Sequence, residues 1–201
     1  MLKQKTNISL KGVISETGTA KASIERAALE LFCEGSIESA STKAIALKAG
    51  VSEGLLYRHY KSKDDLARAL MRKIHIDLTE MIETANDMPL PEAISHIVEN
   101  YCATADADWS LFRYHILHLH RFAGLMKDYG RSPHKAAAQI IARAQKTGDI
   151  KSKTPPDLLA AMALGVVLQT AQGKVLGGIE GDLSQHIKKF ERSVLAVLRQ
   201  D

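Results

Sequence analysis

The sequence predicts an all-α protein, in which a small N-terminal three-helix helix-turn-helix domain is followed by a larger helical domain. Three observations support this fold class. Apolar residues recur every three or four positions along most of the chain, which is the spacing of one face of an α-helix. Alternating β-branched runs typical of strands are missing, and the 201 residues include only five prolines. The stretch from Ser41 to Lys63 outlines two short helices joined by a tight turn.

Capping residues define this helix-turn-helix stretch. Ser41 is suited to cap the first of its helices, and Gly50 stands where a helix end favours a residue that tolerates positive φ. Ser52 is suited to cap the second helix, and Ser62 with Asp65 resembles the capping box that opens a third. In a helix-turn-helix, the second helix is the one that enters the major groove of DNA.

The remaining periodic segments predict six further helices after the helix-turn-helix and one before it. Helix 4 is long enough to leave the small domain and enter the next, so we expect it to link the two mechanically. Its apolar positions recur every four residues, at Leu66, Leu70, Ile74, Leu78 and Ile82. The predicted bounds are about 19–34 for helix 1, 63–85 for helix 4, 109–126 for helix 6 and 183–199 for helix 9. Helix 5 follows the break at 86–91, helix 7 runs from Ser132-Pro133 to Gly148, and helix 8 opens at Thr154-Pro155-Pro156-Asp157.

Many residues at fixed spacing carry a family resemblance. They are Ile24-Glu25-Arg26-Ala27-Ala28-Leu29-Glu30-Leu31-Phe32, Ile45-Ala46, Ala49-Gly50-Val51-Ser52, Gly54, Leu56-Tyr57-Arg58-His59-Tyr60 and Ser62-Lys63. This set closely resembles the N-terminal DNA-binding domain of TetR-family transcriptional regulators. The resemblance covers residues 19–73, while the remainder of the chain is similar to that family only in its helical layout.

The resemblance implies a sequence-specific DNA-binding transcriptional regulator, most often a repressor that a small-molecule ligand releases from a palindromic operator. It divides the chain into a flexible tail (1–18), a DNA-binding domain (19–73) and a helical ligand-binding and dimerisation domain (74–201). The implied partners are double-stranded operator DNA, a second copy of the chain and a small-molecule effector. A basic N-terminal arm that touches DNA is an alternative interpretation of the tail.

The resemblance also assigns residues to the DNA surface. Thr42, Tyr57, His59 and Lys63 match positions that usually contact phosphates or sugars, and a helix N-terminus with a nearby lysine suits an anion. Lys43 is placed to reach a base edge or the backbone, and Gly54 allows close approach. The predicted DNA-binding set is Thr42, Lys43, Ser52, Glu53, Gly54, Leu55, Tyr57, His59 and Lys63.

Two residues of this set depart from the family pattern, which often has Lys where Glu53 stands and a small hydroxyl residue where Leu55 stands. Phosphate would repel Glu53, but its carboxylate can accept a hydrogen bond from a cytosine amino group. Leu55 can contact a thymine methyl or simply pack. These departures affect the operator sequence that we expect, rather than the prediction of DNA binding.

The larger domain is expected to hold a partly apolar pocket between helices 4 to 7. A filled core without a cavity is the alternative. Few charges lie on these faces, so we expect a neutral or weakly acidic ligand with an aromatic or extended apolar part. His115 and His118 lie three residues apart, but a metal site would need further ligands, so we predict no metal and no cofactor. The predicted lining residues are Ile74, Leu78, Tyr101, Trp109, Phe112, His115, His118 and Phe122.

Helices 8 and 9 carry more apolar surface than one helical layer can cover, and the resemblance implies that they form a four-helix interface with a partner. The predicted interface residues are Met162, Gly165, Val166, Gln169, Ile187, Phe190 and Val194.

Composition and motifs also bear on the other classes of protein that the sequence could represent. The net charge is only +4, and most of the excess lies in residues 19–73, with ten basic and seven acidic side chains. Cys33 and Cys102 are expected to be buried without a disulfide, which suits the cytoplasm. No signal-peptide pattern or membrane-length apolar run is evident, and no catalytic motif appears. A nucleoid-associated or division-control DNA-binding protein without an inducer and a small all-α enzyme remain the rival interpretations.

Overall fold

A computed structural model of the chain describes residues 14, 18–124 and 130–199, and its secondary structure in these ranges is entirely helical. Two short 3₁₀ helices, His120–Phe122 and Leu183–His186, accompany the α-helices. The α-helices are α1 (Ala20–Glu34), α2 (Thr42–Ala49), α3 (Glu53–His59), α4 (Lys63–Glu83), α5 (Leu90–Ala107), α6 (Trp109–His118), α7 (Pro133–Thr147), α8 (Pro156–Val175) and α9 (Ile187–Leu198). The predicted all-α class is confirmed.

The predicted caps of the N-terminal helices are present. The Ser41 and Ser52 hydroxyls each accept a hydrogen bond from a backbone N–H three residues ahead, at 3.0 and 3.2 Å. Gly50 ends α2 in the left-handed conformation with φ of 69°. Ser62 accepts from the N–H of Asp65, whose carboxylate in turn accepts from the N–H of Lys61. These bonds satisfy orphan backbone groups at the helix ends, which is why the capping residues predict the boundaries well.

Three expectations on the later helices differ from the structure. α6 ends at His118, and its continuation tightens into a 3₁₀ turn in which Phe122 is buried. Residues 125 and 126 of the predicted helix 6 lie outside the described residues. Thr154 does not cap α8, because its side chain accepts a hydrogen bond from Ser152 instead. The predicted helix 9 opens with the 3₁₀ helix before α9 begins.

The chain divides into two compact units. Among the described residues, the N-terminal unit consists of 14, 18–77 and 108–124, and the C-terminal unit of 78–107 and 130–199. The division falls within α4, so this helix contributes to both units. The N-terminal unit also includes α6, which the sequence places with the ligand-binding domain. α6 packs on α1 in this unit, and the domain boundary near residue 73 stays a prediction.

α6 is joined to α1 and α4 by side-chain bonds along its length. At its start, Arg26 on α1 forms a bidentate pair with Asp108 at 3.0 and 2.7 Å. Further along, the buried Tyr114 hydroxyl donates to the Ala67 carbonyl at 2.8 Å. At the end of α6, His118 Nε2 lies 3.2 Å from the Phe32 carbonyl oxygen. The core beneath consists of fully buried residues, among them Ile24, Phe32, Ile37, Ile45, Leu56, Leu66 and Leu70.

The C-terminal unit packs α8 between α7 and α9, and α9 also packs on α5. Phe190 and Val194 are only 5% and 4% exposed, since their side chains fill the core of this unit. They were predicted as interface residues, but in the structure they offer no surface to a second copy. The spacing of apolar residues along α9 identifies its buried face correctly, but it cannot tell a core within one chain from an interface.

α8 is also the one helix in the described ranges whose length and apolar composition would allow it to span a membrane. Length and composition alone make this weak support, and α8 has a partly buried face within the chain. Leu159, Ala160 and Ala163 lie on that face. Its opposite face is exposed.

Candidate DNA-binding site

α2 and α3 bring most of the predicted DNA-binding residues onto one accessible surface. Lys43 at the start of α2 and Glu53, Tyr57 and His59 on α3 are all exposed, and the Tyr57 side chain retains 51% of its accessible area. This surface, formed by the exposed side chains of α2 and α3, is called the reading surface below.

Three of these residues form a hydrogen-bonded cluster. The Thr42 hydroxyl donates to Glu53 Oε2 at 3.1 Å and lies 3.3 Å from the Tyr57 hydroxyl. The cluster joins the first residue of α2 to the first residue of α3 and to a residue one turn further along it. It therefore gives side chains at the reading surface defined positions.

Lys63 begins α4, and its side chain is bonded within the protein. Its ammonium group donates to the carbonyl oxygens of Glu38 and Ala40 at 2.5 and 2.9 Å, so it closes the loop that leads into α2. In this arrangement its positive charge is directed at the protein backbone rather than outward. Its role as a phosphate contact stays a prediction.

Gly54 has no structural reason within the chain to be glycine. A Cβ atom built there would meet only Ser52 Oγ, at an ordinary 3.9 Å. Glycine inside a helix is less stable than alanine by roughly 0.5–1 kcal/mol. A residue that destabilises its own helix without an internal need is consistent with a close external approach at this point.

The two remaining predicted residues have mainly structural positions. Ser52 is exposed, and its hydroxyl is used to cap α3. Leu55 is half-buried, so it packs in part and presents the rest of its side chain at the reading surface. The contact of Leu55 with a thymine methyl stays a prediction.

A buried ionic group supports the reading surface from behind. Glu25 on α1 is fully buried, accepts a hydrogen bond from the Tyr60 hydroxyl at 2.5 Å and pairs with Lys73 on α4 at 3.1 Å. Burial and the neighbouring Glu25 raise the pKa of Tyr60. Because Tyr60 ends α3, this group links the end of α3 to α1 and α4. Sequence reasoning missed it, since Glu25 resembles a surface residue in the linear pattern.

Arg121, on the 3₁₀ turn after α6, forms ion pairs with Glu38 before α2 and with Asp64 in the first turn of α4. These pairs are partly exposed and add little stability individually. They do connect the end of α6 to the loop that Lys63 also closes.

The predicted ligand-lining residues are divided between the units. Leu78 and Tyr101 belong to the C-terminal unit, and the other six belong to the N-terminal unit. In the latter, the rings of Trp109, Phe112 and His115 follow one another along α6, with centroids 6.1 and 6.2 Å apart.

His115 is the most perturbed group of this row. It is 5% exposed, and its Nδ1 is buried without a hydrogen-bond partner. Burial, with a smaller contribution from the nearby His75, lowers the pKa of His115 to about 4. It is therefore neutral at physiological pH. Within the described ranges, no group of three or more potential metal ligands occurs.

The fold and the reading surface together define a helix-turn-helix DNA-binding regulator of transcription. Residues 24–70 match the family of bacterial regulatory proteins, tetR family. The regulator UidR of Escherichia coli K12 is 24% identical to the chain over 193 residues, which cover 92% of this chain and 93% of UidR. Residues 24–70 therefore carry the N-terminal domain of the TetR family, and the chain is a DNA-binding regulator of transcription.

Solved structures share the complete fold. FadR from Bacillus subtilis, solved in complex with stearoyl-CoA, superposes with a TM-score of 0.74 at 19% identity, covering 87% of this chain and 97% of FadR. SmeT, the repressor of a multidrug efflux pump of Stenotrophomonas maltophilia, gives a TM-score of 0.73 at 19% identity, with 92% of each chain covered. At such identities the similarity concerns the fold alone.

Proposed function

We propose that this regulator is a cytoplasmic homodimeric repressor that binds a pseudo-palindromic operator and is released from it by a small molecule, without catalytic activity. The observation that carries the proposal is the reading surface on α2 and α3, exposed and backed by the buried Glu25 group. The regulators SmeT and FadR, the second solved with an acyl-CoA, make a ligand-controlled repressor the function that best fits this fold.

Dimerisation is proposed through the exposed face of α8. Leu158 and Met162 retain 52% and 40% of their accessible area, although they lie on an apolar helix. A Cβ atom at Gly165, one turn later, would meet nothing within 4 Å, so a second helix has room to approach. Gln169 continues the same face, and we include Val166 and Ile187 at its edges. A second copy buries this face and, by two-fold symmetry, presents two reading surfaces.

Met162→Glu tests this interface. A charge on a buried apolar face opposes association, whereas Gln139→Glu places the same charge on an exposed position of α7. Sedimentation velocity should show a monomer for Met162→Glu and a dimer for wild type and for Gln139→Glu. A fully dimeric Met162→Glu protein would exclude this face. Phe190→Glu is unsuitable, since it would bury a charge inside the subunit.

A two-fold protein reads two half-sites in successive major grooves, about 34–36 Å apart or a multiple of this distance. Selection of bound DNA from a random pool should therefore yield an inverted repeat. If Lys43 contacts a base, Lys43→Ala should relax the base preference at that position. If it contacts phosphate, the variant should bind all DNA sequences more weakly by a similar factor. A pool that shows no enriched sequence would contradict operator binding and favour a nucleoid-associated role.

Ligand control is proposed to act through α4 and α6. α4 contributes to both units, and side chains of α6 are hydrogen-bonded to the backbone of α4 and α1. A ligand releases DNA only if it binds the DNA-incompetent conformation more tightly. The row of Trp109, Phe112 and His115 favours a ligand with an aromatic or extended apolar part and a group that can hydrogen-bond to a neutral imidazole.

Trp109 is the only tryptophan, so its fluorescence reports on this region. A screen of acyl-CoA thioesters, fatty acids and aromatic acids should find a compound that changes this fluorescence and releases operator DNA over the same concentration range. Phe112→Leu, which keeps most of the volume of this fully buried side chain, should weaken binding of an aromatic ligand while leaving operator binding without ligand intact. If fluorescence and release responded at different concentrations, the ligand site would have to lie elsewhere.

A further inference from the structure

Glu53 is an acidic side chain at a surface that is expected to face the phosphates of DNA. It is exposed and begins α3, the helix that enters the major groove. Among the described residues, a hydroxyl rather than a lysine or arginine holds its carboxylate, since Thr42 donates to Oε2 at 3.1 Å. An acid at this place weakens binding to every DNA sequence unless it finds a hydrogen-bond donor there.

The hydrogen bonds of the cluster have a defined direction. A threonine hydroxyl carries one proton, and an ionised carboxylate only accepts. Because Thr42 gives its proton to Glu53, the Tyr57 hydroxyl must be the donor across the 3.3 Å to Thr42. The two hydrogen bonds therefore run in one direction, from Tyr57 to Thr42 and from Thr42 to the Glu53 carboxylate. The Thr42 proton is then directed at Glu53 and the Tyr57 proton at Thr42.

This arrangement orients the carboxylate and leaves its second oxygen open as an acceptor. In the major groove, the bases offer two donors, the N4 amino group of cytosine and the N6 amino group of adenine. Adenine places the N7 acceptor beside its amino group, where it repels a carboxylate and suits an amide instead. Cytosine has no acceptor on this edge. The Glu53 carboxylate accepts hydrogen bonds but donates none, so it should bind cytosine in preference to adenine.

We propose that Glu53 reads a cytosine in each operator half-site, with Thr42 and Tyr57 as positioning residues that hold its carboxylate in place. The inference rests on the proposed operator binding and names the specificity determinant within it. It assigns Thr42 and Tyr57 a role in base selection besides the phosphate contact that the family resemblance implies.

Selection from a random DNA pool with wild type and Glu53→Gln tests the proposal. Wild type should prefer C·G at one position of each half-site by about 5- to 150-fold, the range for a good base contact. Glu53→Gln keeps the shape but adds a donor, so this preference should disappear or shift to A·T while the other positions stay unchanged. Thr42→Val should reduce the same preference, and Thr42→Ser, which keeps the hydroxyl, should restore it.

A cytosine analogue without the 4-amino group, placed at that position, supplies a matched DNA change. Wild type should lose affinity for this operator by the same factor, whereas Glu53→Gln should not distinguish it from cytosine. If Glu53→Gln bound every sequence more tightly with unchanged preferences, the carboxylate would merely compete with phosphate, and the inference would be wrong. If wild type itself enriched no sequence, the proposed operator binding would fail along with it.

Discussion

The two compact units are both helical, but they differ in what their side chains bury and expose. The N-terminal unit encloses a buried ionic group of Glu25, Tyr60 and Lys73, with the Arg26–Asp108 pair beside it. In the C-terminal unit, polar bonds such as Ser95–Glu191 also join helices, but small apolar residues such as Ala137 and Ala160 are buried, and α8 keeps one apolar face exposed. Directional bonds define the position of a reading surface within one chain, whereas apolar packing can continue onto a second copy.

The largest expected effect concerns the buried charges of the N-terminal unit. Lys73→Met would leave the Glu25 carboxylate buried without its cation, which typically costs about 3–5 kcal/mol of unfolding free energy. Lys188→Met removes a lysine that is paired with Glu191 on the surface of the C-terminal unit and should leave the denaturation midpoint unchanged. Chemical denaturation followed by circular dichroism measures both.

A double variant sharpens this prediction. Glu25→Gln combined with Lys73→Met removes both charges, so it should recover most of the stability that Lys73→Met loses. If Lys73→Met were as stable as wild type, another group would compensate the buried charge of Glu25. The Glu25–Lys73 ion pair would then no longer distinguish the two units.

The next effect is a pH dependence that arises in the N-terminal unit. His115 has a folded pKa of about 4, against an ordinary value of 6.5, because burial disfavours its charged form. Between pH 6.5 and 4 the unfolded chain binds the proton more readily, so the unfolding free energy falls as the pH falls, by up to about 3 kcal/mol. His75, whose pKa burial also lowers, contributes in the same direction.

Denaturant titrations between pH 7.5 and 4 measure this dependence. His115→Leu should flatten the profile in that window, whereas His120→Leu, which replaces an exposed histidine, should leave it unchanged. A profile of the same slope in wild type and His115→Leu would show that another group carries the dependence.

Gly54→Ala separates stability from DNA binding. The new Cβ meets no close atom within the chain, so the variant should gain about 0.4–1 kcal/mol of unfolding free energy. At a DNA surface the same methyl group keeps the helix from approaching, and operator affinity should fall roughly tenfold, or about 1.4 kcal/mol. Thermal unfolding and a fluorescence anisotropy titration measure the two quantities. Unchanged affinity would place Gly54 away from the DNA.

Gly165→Ala is the matched change in the C-terminal unit and has the smallest expected effect. A Cβ atom at Gly165 meets no described atom within 4 Å. The subunit should again become slightly more stable, while the dimer dissociation constant rises several-fold because two helices can no longer approach as closely. Sedimentation equilibrium tests this. A dimer of wild-type affinity would move the interface away from this turn of α8.

The sequence by itself determined the helices and the class of the protein. Caps and turns depend on backbone groups a few residues away, so Ser41, Gly50 and Ser52 could be interpreted locally and were found in their predicted roles. The helix-turn-helix was predictable for the same reason, since its spacing is a property of one continuous stretch. The burial of Leu66, Leu70 and Ile74 on α4 followed from their four-residue periodicity.

The tertiary structure alone decided which helices and charges belong together. Glu25 lies beside Ile24 in the sequence, and only packing shows that Tyr60 and Lys73, 35 and 48 residues away, enclose it. The association of α6 with α1, the use of Lys63 on backbone carbonyls and the burial of Phe190 within its own subunit are equally non-local. A periodic pattern tells which face of a helix avoids water. The partner that covers that face depends on distances between segments that are remote in the chain, and these exist only once the chain has folded.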